Sequence, residues 1–252
     1  MLVAGAALGA AWMAEAAEPG RPLVLVHGSW HGAWCWRKVE RLLRGGGREV
    51  FAPTLAGLAE HAHLATRALN LSTHVDEVVR LLELEELQGA TLVGHSYGGM
   101  VVTAAAARST RVARIVYLDA MVPESGQCGF DLFTPAIAER WRKRAKEKGD
   151  GWLVPPMLSA KDMGVEDAAE AARVDARLTP MPLATFEEKL TFDAAALAKV
   201  QRSYIRCAKF SGFGPTAERV KKLGWTVREL DCGHDAMLAA PQALTKVLVE
   251  LA

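Results

Sequence analysis

A serine and a histidine, far apart in the chain, have the surroundings of a covalent hydrolytic machine. The serine is Ser96, in Gly94-His95-Ser96-Tyr97-Gly98-Gly99-Met100. The apolar run Ala90-Thr91-Leu92-Val93 ahead of it reads as a strand, and Val101 to Ala106 behind it reads as a helix. A strand, a glycine-flanked serine and a helix without a linker form the G-x-S-x-G elbow, a strained turn that pushes the hydroxyl clear of the backbone. Such a hydroxyl becomes a nucleophile only when a neighbouring base takes its proton. His234, in Asp231-Cys232-Gly233-His234-Asp235, follows the strand-like Thr226 to Leu230 and precedes the last helix, the chain order of that base. His95, beside the serine, is expected to pack or hydrogen-bond within the elbow.

A serine attacking a carbonyl also needs two backbone N–H groups aimed at the developing oxyanion. Tyr97, next after the nucleophile, supplies one, and Ser29 in His27-Gly28-Ser29-Trp30 is the candidate for the other. Gly28 permits a close backbone approach. Of Trp30, Trp34 and Trp36, which follow, Trp36 is assigned to the core. The four cysteines, Cys35, Cys128, Cys207 and Cys232, form no C-x-x-C pair and no cluster with nearby histidines, so they read as scattered thiols. Neither a metal nor an organic cofactor is expected, because the base activates the hydroxyl.

The elements that must position these groups alternate in type. Pro22 to His27 reads as a buried parallel strand, Cys35 to Arg44 as a helix stopped by Gly45-Gly46-Gly47, Glu49 to Pro53 as a second strand and Leu71 to Leu87 as a helix. After the elbow come a strand at Ala113 to Asp119, strands at Arg202 to Cys207 and Thr226 to Leu230, and helices at Ala217 to Leu223 and Pro241 to Leu251. This alternation predicts an α/β fold, a mostly parallel central sheet flanked by helices. Between Met121 and about Lys199 the pattern changes to helical stretches at Pro135 to Lys148 and Val165 to Arg177, with no convincing strand. Residues 121–199 therefore read as a helical lid inserted after the strand that follows the elbow helix, over the sheet edge where ligands bind; a peripheral helical excursion is the competing reading. Residues 21–120 and 200–252 form the core.

Half of the 252 residues are hydrophobic (50%), 23% are charged and the formal net charge is +1, which suits one fairly large globular domain and points to neither nucleic acid nor acidic lipid. Residues 1–20 hold an almost uncharged apolar run that ends at Ala14-Glu15-Ala16 and Pro19-Gly20. It resembles a signal peptide without its basic start, and reads either as a signal-peptide remnant or as a flexible tail. The location is accordingly cytoplasmic or, if the segment is a truncated signal, exported to the periplasm. The run is too short for a membrane-spanning helix, which needs roughly 20 apolar residues.

Four ordered motifs together resemble the α/β-hydrolase superfamily: His27 to Trp36, Ala52-Pro53-Thr54-Leu55-Ala56-Gly57-Leu58, Gly94 to Met100 and Gly233-His234-Asp235-Ala236-Met237. The resemblance runs from about residue 22 to the end, and is strongest to the branch of plant hydroxynitrile lyases, plant methyl esterases and bacterial EstC-like esterases. The lyases of that branch carry a threonine after the first-strand histidine and a lysine after the catalytic one, where this chain has Gly28 and Asp235. The resemblance thus implies hydrolysis rather than cyanohydrin cleavage. Aspartate-nucleophile chemistry is disfavoured by the serine.

The same resemblance exposes a departure. These relatives place an aspartate a few residues beyond the penultimate strand, but the corresponding stretch is Cys207-Ala208-Lys209-Phe210-Ser211-Gly212-Phe213, with Phe210 in the acid's slot. No carboxylate occurs between Asp193 and Glu218. Because some members place the acid after the strand that follows the elbow helix, Asp119 is the candidate; capping of the inserted segment is its competing role. Asp231 and Asp235 lie too near His234 in sequence to reach its far ring nitrogen easily. The expected activity is cleavage of small to medium carboxylic esters through an acyl-enzyme, with Ser96, His234 and Asp119 catalytic, Ser29 and Tyr97 holding the oxyanion, and Gly28, Trp30, Trp152, Phe130 and Phe133 against the substrate, joined by Phe186. Core packing is the alternative for the aromatic residues. The expected partner is a small-molecule ester, with a homodimer left open. Two other readings stand: a hydrolase-fold ligand-binding protein with little turnover, and amide, carbamate or lyase-like chemistry on the same scaffold.

Overall fold

The strands Leu23–Val26 and Ala90–His95 are buried on both faces, and helices cover the sheet they belong to on both sides. A computed structural model describes residues 20–252. Its strands are β1 (Leu23–Val26), β2 (Val50–Phe51), β3 (Ala90–His95), β4 (Val112–Leu118), β5 (Leu153–Val154), β6 (Met181–Pro182), β7 (Gln201–Cys207) and β8 (Thr226–Leu230). Six of them form one sheet in the order β2-β1-β3-β4-β7-β8, and every neighbouring pair is parallel. The helices are α1 (Arg37–Gly45), α2 (Leu71–Leu84), α3 (Gly98–Arg108), α4 (Pro135–Lys148), α5 (Ala168–Asp175), α6 (Ala184–Glu187), α7 (Ala194–Ala198), α8 (Gly214–Lys222), α9 (Ala236–Ala239) and α10 (Pro241–Leu251).

The two-residue period of a strand divides the core. Val24 and Val26 of β1 pack with α2 and α3 on one face, while Leu23 and Leu25 pack with α1 and α10 on the other. All four are fully buried, each stabilising the fold by roughly 1.5–3 kcal/mol relative to exposure. Parallel strands end together at one edge of the sheet, so the loops after β1, β3, β4, β7 and β8 converge there.

Several boundaries differ from expectation for local reasons. The strand expected over Glu49 to Pro53 contracts to Val50–Phe51, since Pro53 has no N–H to give a ladder. Val165 to Arg177 becomes helical only at Ala168, where the Asp167 side chain accepts from the Glu170 amide at 2.8 Å and caps the start. The expectation of no strand within 121–199 is corrected by an antiparallel pair, Leu153 against Pro182 and Val154 against Met181. Two-residue strands have no alternation to read, and Pro182 disguises one of them. The apolar segment expected as signal remnant or tail lies, apart from Gly20, outside the described residues. Among the described residues no helix is long and apolar enough to cross a membrane, and all four cysteines are buried and free.

Candidate active site

β3 delivers Ser96 to the converging edge in a left-handed backbone conformation, φ 53°. A residue with a Cβ is strained there by about 1–3 kcal/mol. The turn is held open at its base by hydrogen bonds from the Ser96 amide to the Leu118 carbonyl (3.2 Å) and from the Met121 amide to the Ser96 carbonyl (3.0 Å). Only a residue without a side chain fits two places after the serine: a Cβ on Gly98 would lie 2.7 Å from the Val26 carbonyl oxygen. Ser96 stays partly exposed while both neighbours are buried, as an elbow requires.

His234 leaves the end of β8 and turns its ring toward β4. Its Nδ1 lies 2.7 Å from Asp119 Oδ2. An ionised carboxylate only accepts, so Nδ1 donates and Nε2 is left with its lone pair as the basic atom. Asp119 is fully buried, sits at φ 42°, and accepts a second bond from the Cys207 amide at 3.2 Å through Oδ1. Its own amide donates to the Ile205 carbonyl at 2.7 Å, which fastens it to the neighbouring strand β7. The other carboxylates near the histidine in sequence face elsewhere. Asp231 is exposed and 3.5 Å from Lys209, and Asp235 is buried against His31. Phe210, in the slot where an acid was expected, stacks on the imidazole with ring centroids 4.5 Å apart, and Phe213 stacks at 5.4 Å. His234 and Ser96 line one cavity, though among the described residues they share no hydrogen bond. Apo hydrogen bonds of this kind commonly tighten only when substrate arrives.

The amides of Ser29 and Tyr97 have no acceptor among the described residues. Three histidines hold the backbone around them. His27 Nε2 accepts from the Leu55 amide at 3.0 Å, which leaves Nδ1 to donate to the Gly28 carbonyl at 2.9 Å, in the same peptide unit as the Ser29 N–H. His74 Nε2 donates to the Ala56 carbonyl and its Nδ1 accepts from the Tyr97 hydroxyl, both at 2.9 Å. Burial lowers His27 to about 3 and His74 to about 4, so both are neutral at physiological pH. His31 donates from Nδ1 to the Ser29 carbonyl at 2.7 Å.

A cavity of about 250 Å³ opens in front of Ser96. Ser29, Tyr97, Trp30, Phe133 and Phe186 line it with Ser96 and His234, and Met157, Leu158 and Met163 add further apolar surface. Gly28, Phe130 and Trp152 do not. A Cβ on Gly28 would lie 2.8 Å from Ser96 Cβ, so this glycine makes room for the elbow rather than for substrate. Phe130 packs behind the cavity against Trp141 and Phe186 and under the Arg142 guanidinium. Trp152 is turned toward Arg67. Sequence reasoning missed Met157, Met163 and the His31–Asp235 contact, which no spacing signals because the partners come from distant loops.

The chain matches the alpha/beta hydrolase family over residues 23–247, and it belongs to that family. It is 37% identical over 243 residues to a carbendazim hydrolyzing esterase of Nocardioides sp. (strain SG-4G), which covers 90% of this chain and 98% of the relative. Methylesterase 3 of Arabidopsis thaliana is 28% identical over 258 residues, covering 93% of this chain and 97% of its own. An extracellular alpha/beta-hydrolase from a Paenibacillus species shares the fold, with a TM-score of 0.81 and 23% identity over 92% of this chain and 99% of that one. Within the family the chain is a carboxylesterase-like serine hydrolase.

Proposed function

We propose that Ser96, His234 and Asp119 carry out two-step ester hydrolysis. Nε2 of His234 takes the Ser96 proton as the oxygen attacks the ester carbonyl. The amides of Ser29 and Tyr97 donate hydrogen bonds to the negative charge that forms on the carbonyl oxygen, and Asp119 stabilises the imidazolium. The imidazolium then gives its proton to the leaving alkoxide, and water, activated by the same nitrogen, clears the acyl-enzyme. The 2.7 Å bond between Asp119 and His234 carries this reading, because it fixes the tautomer that a base on Ser96 must have.

The substrate we propose has an apolar, aromatic-sized acyl body and a small alkoxy leaving group. A cavity of about 250 Å³ walled by Trp30, Phe133, Phe186 and methionines supports the first half, and likeness to a methylesterase supports the second. Residues 121–199 serve as the lid. They supply Phe133, Met157 and Phe186 to the cavity wall, and are tied to the core through Trp30 Nε1 to the Val154 carbonyl (3.0 Å) and the Asp235 amide to the Met163 carbonyl (2.9 Å).

The test is release of 4-nitrophenol from its acetate and butyrate esters by the wild type and by Ser96→Ala. We expect the variant to lose at least about 10⁴ in kcat, in line with loss of a catalytic serine, and the wild type to give a burst matching one acyl group per chain. Equal slow release by both proteins would remove the enzymatic reading in favour of a ligand-binding one.

A further inference from the structure

Two side chains with no role in those steps, His31 and Asp235, meet between the loop after β1 and the loop after β8. His31 Nε2 lies 3.1 Å from Asp235 Oδ2, and Nδ1 of the same ring lies 2.7 Å from the Ser29 carbonyl oxygen. A backbone carbonyl can only accept, so Nδ1 bears a proton. An ionised carboxylate also only accepts, so Nε2 bears one too, and His31 is then an imidazolium. Both residues are buried, at 1% and 0% exposure. Burial pulls His31 down, but the charge and hydrogen bond of Asp235 outweigh it and raise the imidazole above its ordinary value. Burial pushes Asp235 up, but the charge and hydrogen bond of His31, with smaller contributions from His95 and His234, together hold the carboxyl below its ordinary range.

The surroundings leave no other ionic partner for either group. Trp34 stacks on His31 at 5.3 Å. His95, kept neutral by burial, donates from Nε2 to the His234 carbonyl at 3.1 Å, and this nitrogen stands 3.8 Å from Asp235 Oδ1. The Cys35 thiol near Asp235 is pushed up by burial and stays protonated. Among the described residues Asp235 Oδ1 has no hydrogen-bond partner. The cation therefore backs the backbone of the oxyanion loop, and the anion follows His234 directly in the chain.

We propose that His31 and Asp235 are a positioning pair: a buried ion pair laid along the charge separation of acylation, positive end behind the oxyanion loop and negative end behind the base. This rests on the acyl-enzyme reading. As Ser96 attacks, the carbonyl oxygen gains negative charge at the Ser29 and Tyr97 amides while His234 becomes positive. A dipole already oriented in that sense, in a water-poor site, lowers the energy of the charge-separated state without having to reorganise. The same bonds tie the oxyanion loop to the base's loop, and His95 ties the base's loop to the elbow.

The experiment combines ¹⁵N NMR of the histidine rings with kinetics of Asp235→Asn, His31→Gln and the double variant on 4-nitrophenyl acetate. We expect His31 to carry protons on both ring nitrogens in the wild type at about pH 7, where an ordinary histidine is mostly neutral, and to lose one in Asp235→Asn. Each single variant should lower kcat by about tenfold with KM changed less than about threefold, as for an interaction felt mainly in the transition state, and the double variant should fall no further than the worse single one. A singly protonated His31 in the wild type overturns the proposal even if the variants fail to fold. Singles within about twofold of wild-type kcat, or losses that multiply in the double variant, overturn it as well. Survival of hydrolysis in Ser96→Ala would instead remove the acyl-enzyme reading, and the NMR result would still decide the charge state of the pair.

Discussion

The imidazole of His234 is gripped from two neighbouring strand ends by opposite means. The end of β4 presents Asp119, a buried carboxylate in a left-handed backbone conformation with a 2.7 Å bond to Nδ1. The end of β7 presents Phe210 and Phe213, which stack on the ring and make no polar bond to it. The first contact fixes which nitrogen holds the proton; the second restricts the ring plane and covers it from water. The two ends are themselves joined by the Cys207 amide, which donates to Asp119 Oδ1 at 3.2 Å. Phe210, in the slot where the resemblance places an acid, is thus an aromatic platform, and the carboxylate that meets the ring comes from one strand over.

The division of labour can be broken most sharply at Asp119. Asp119→Asn keeps the volume but frees the ring to take the wrong tautomer, and kcat on 4-nitrophenyl acetate should fall by about 10⁴, as for loss of a triad acid. A near-normal rate would return Asp119 to a structural role. At the other strand end, Phe210→Ala removes stacking worth about 0.5–1.5 kcal/mol. It should therefore lower kcat/KM by at most about tenfold, with the fold intact by circular dichroism. A loss as large as that of Asp119→Asn would mean that the platform, not the carboxylate, sets the ring's orientation.

The smallest effect concerns pH, and it sharpens the comparison from the oxyanion side of the site. His27 and His74, on the oxyanion side, are lowered from 6.5 to about 3 and about 4 by burial, and burial lowers His95 in the same direction. On acidification the unfolded chain takes up these protons before the folded one, so stability falls as pH drops below about 6.5 and goes on falling toward the folded values. Urea unfolding between about pH 4.5 and 7 should show stability falling with acidification in the wild type and falling less steeply in His74→Gln. An unchanged slope in His74→Gln would place the acid lability at other groups.

Much of this was legible in the residues. Gly94-His95-Ser96-Tyr97-Gly98 between an apolar run and a small-residue helix can hardly be anything but a turn that exposes Ser96, and a Gly-His at the last strand's exit follows from the order of elements. Phe210 stands where the resemblance expects a carboxylate, and the strand-end position of Asp119 made it the candidate to reach His234, which it does at 2.7 Å. Where reading failed, the cause was long-range: Gly28, Phe130 and Trp152 have types suited to a pocket, but packing turned them to the elbow, the wall behind the cavity and Arg67.

The sequence by itself therefore determined the sheet, the strained serine and the base, because these depend on periodicity and on glycines within a few residues of each other. Only the tertiary structure decided which carboxylate meets His234 and which meets His31. Asp119 and Asp235 are the same residue type and each is followed by Ala-Met, and what separates them is the direction in which two loops, brought together by a parallel sheet, point their oxygens.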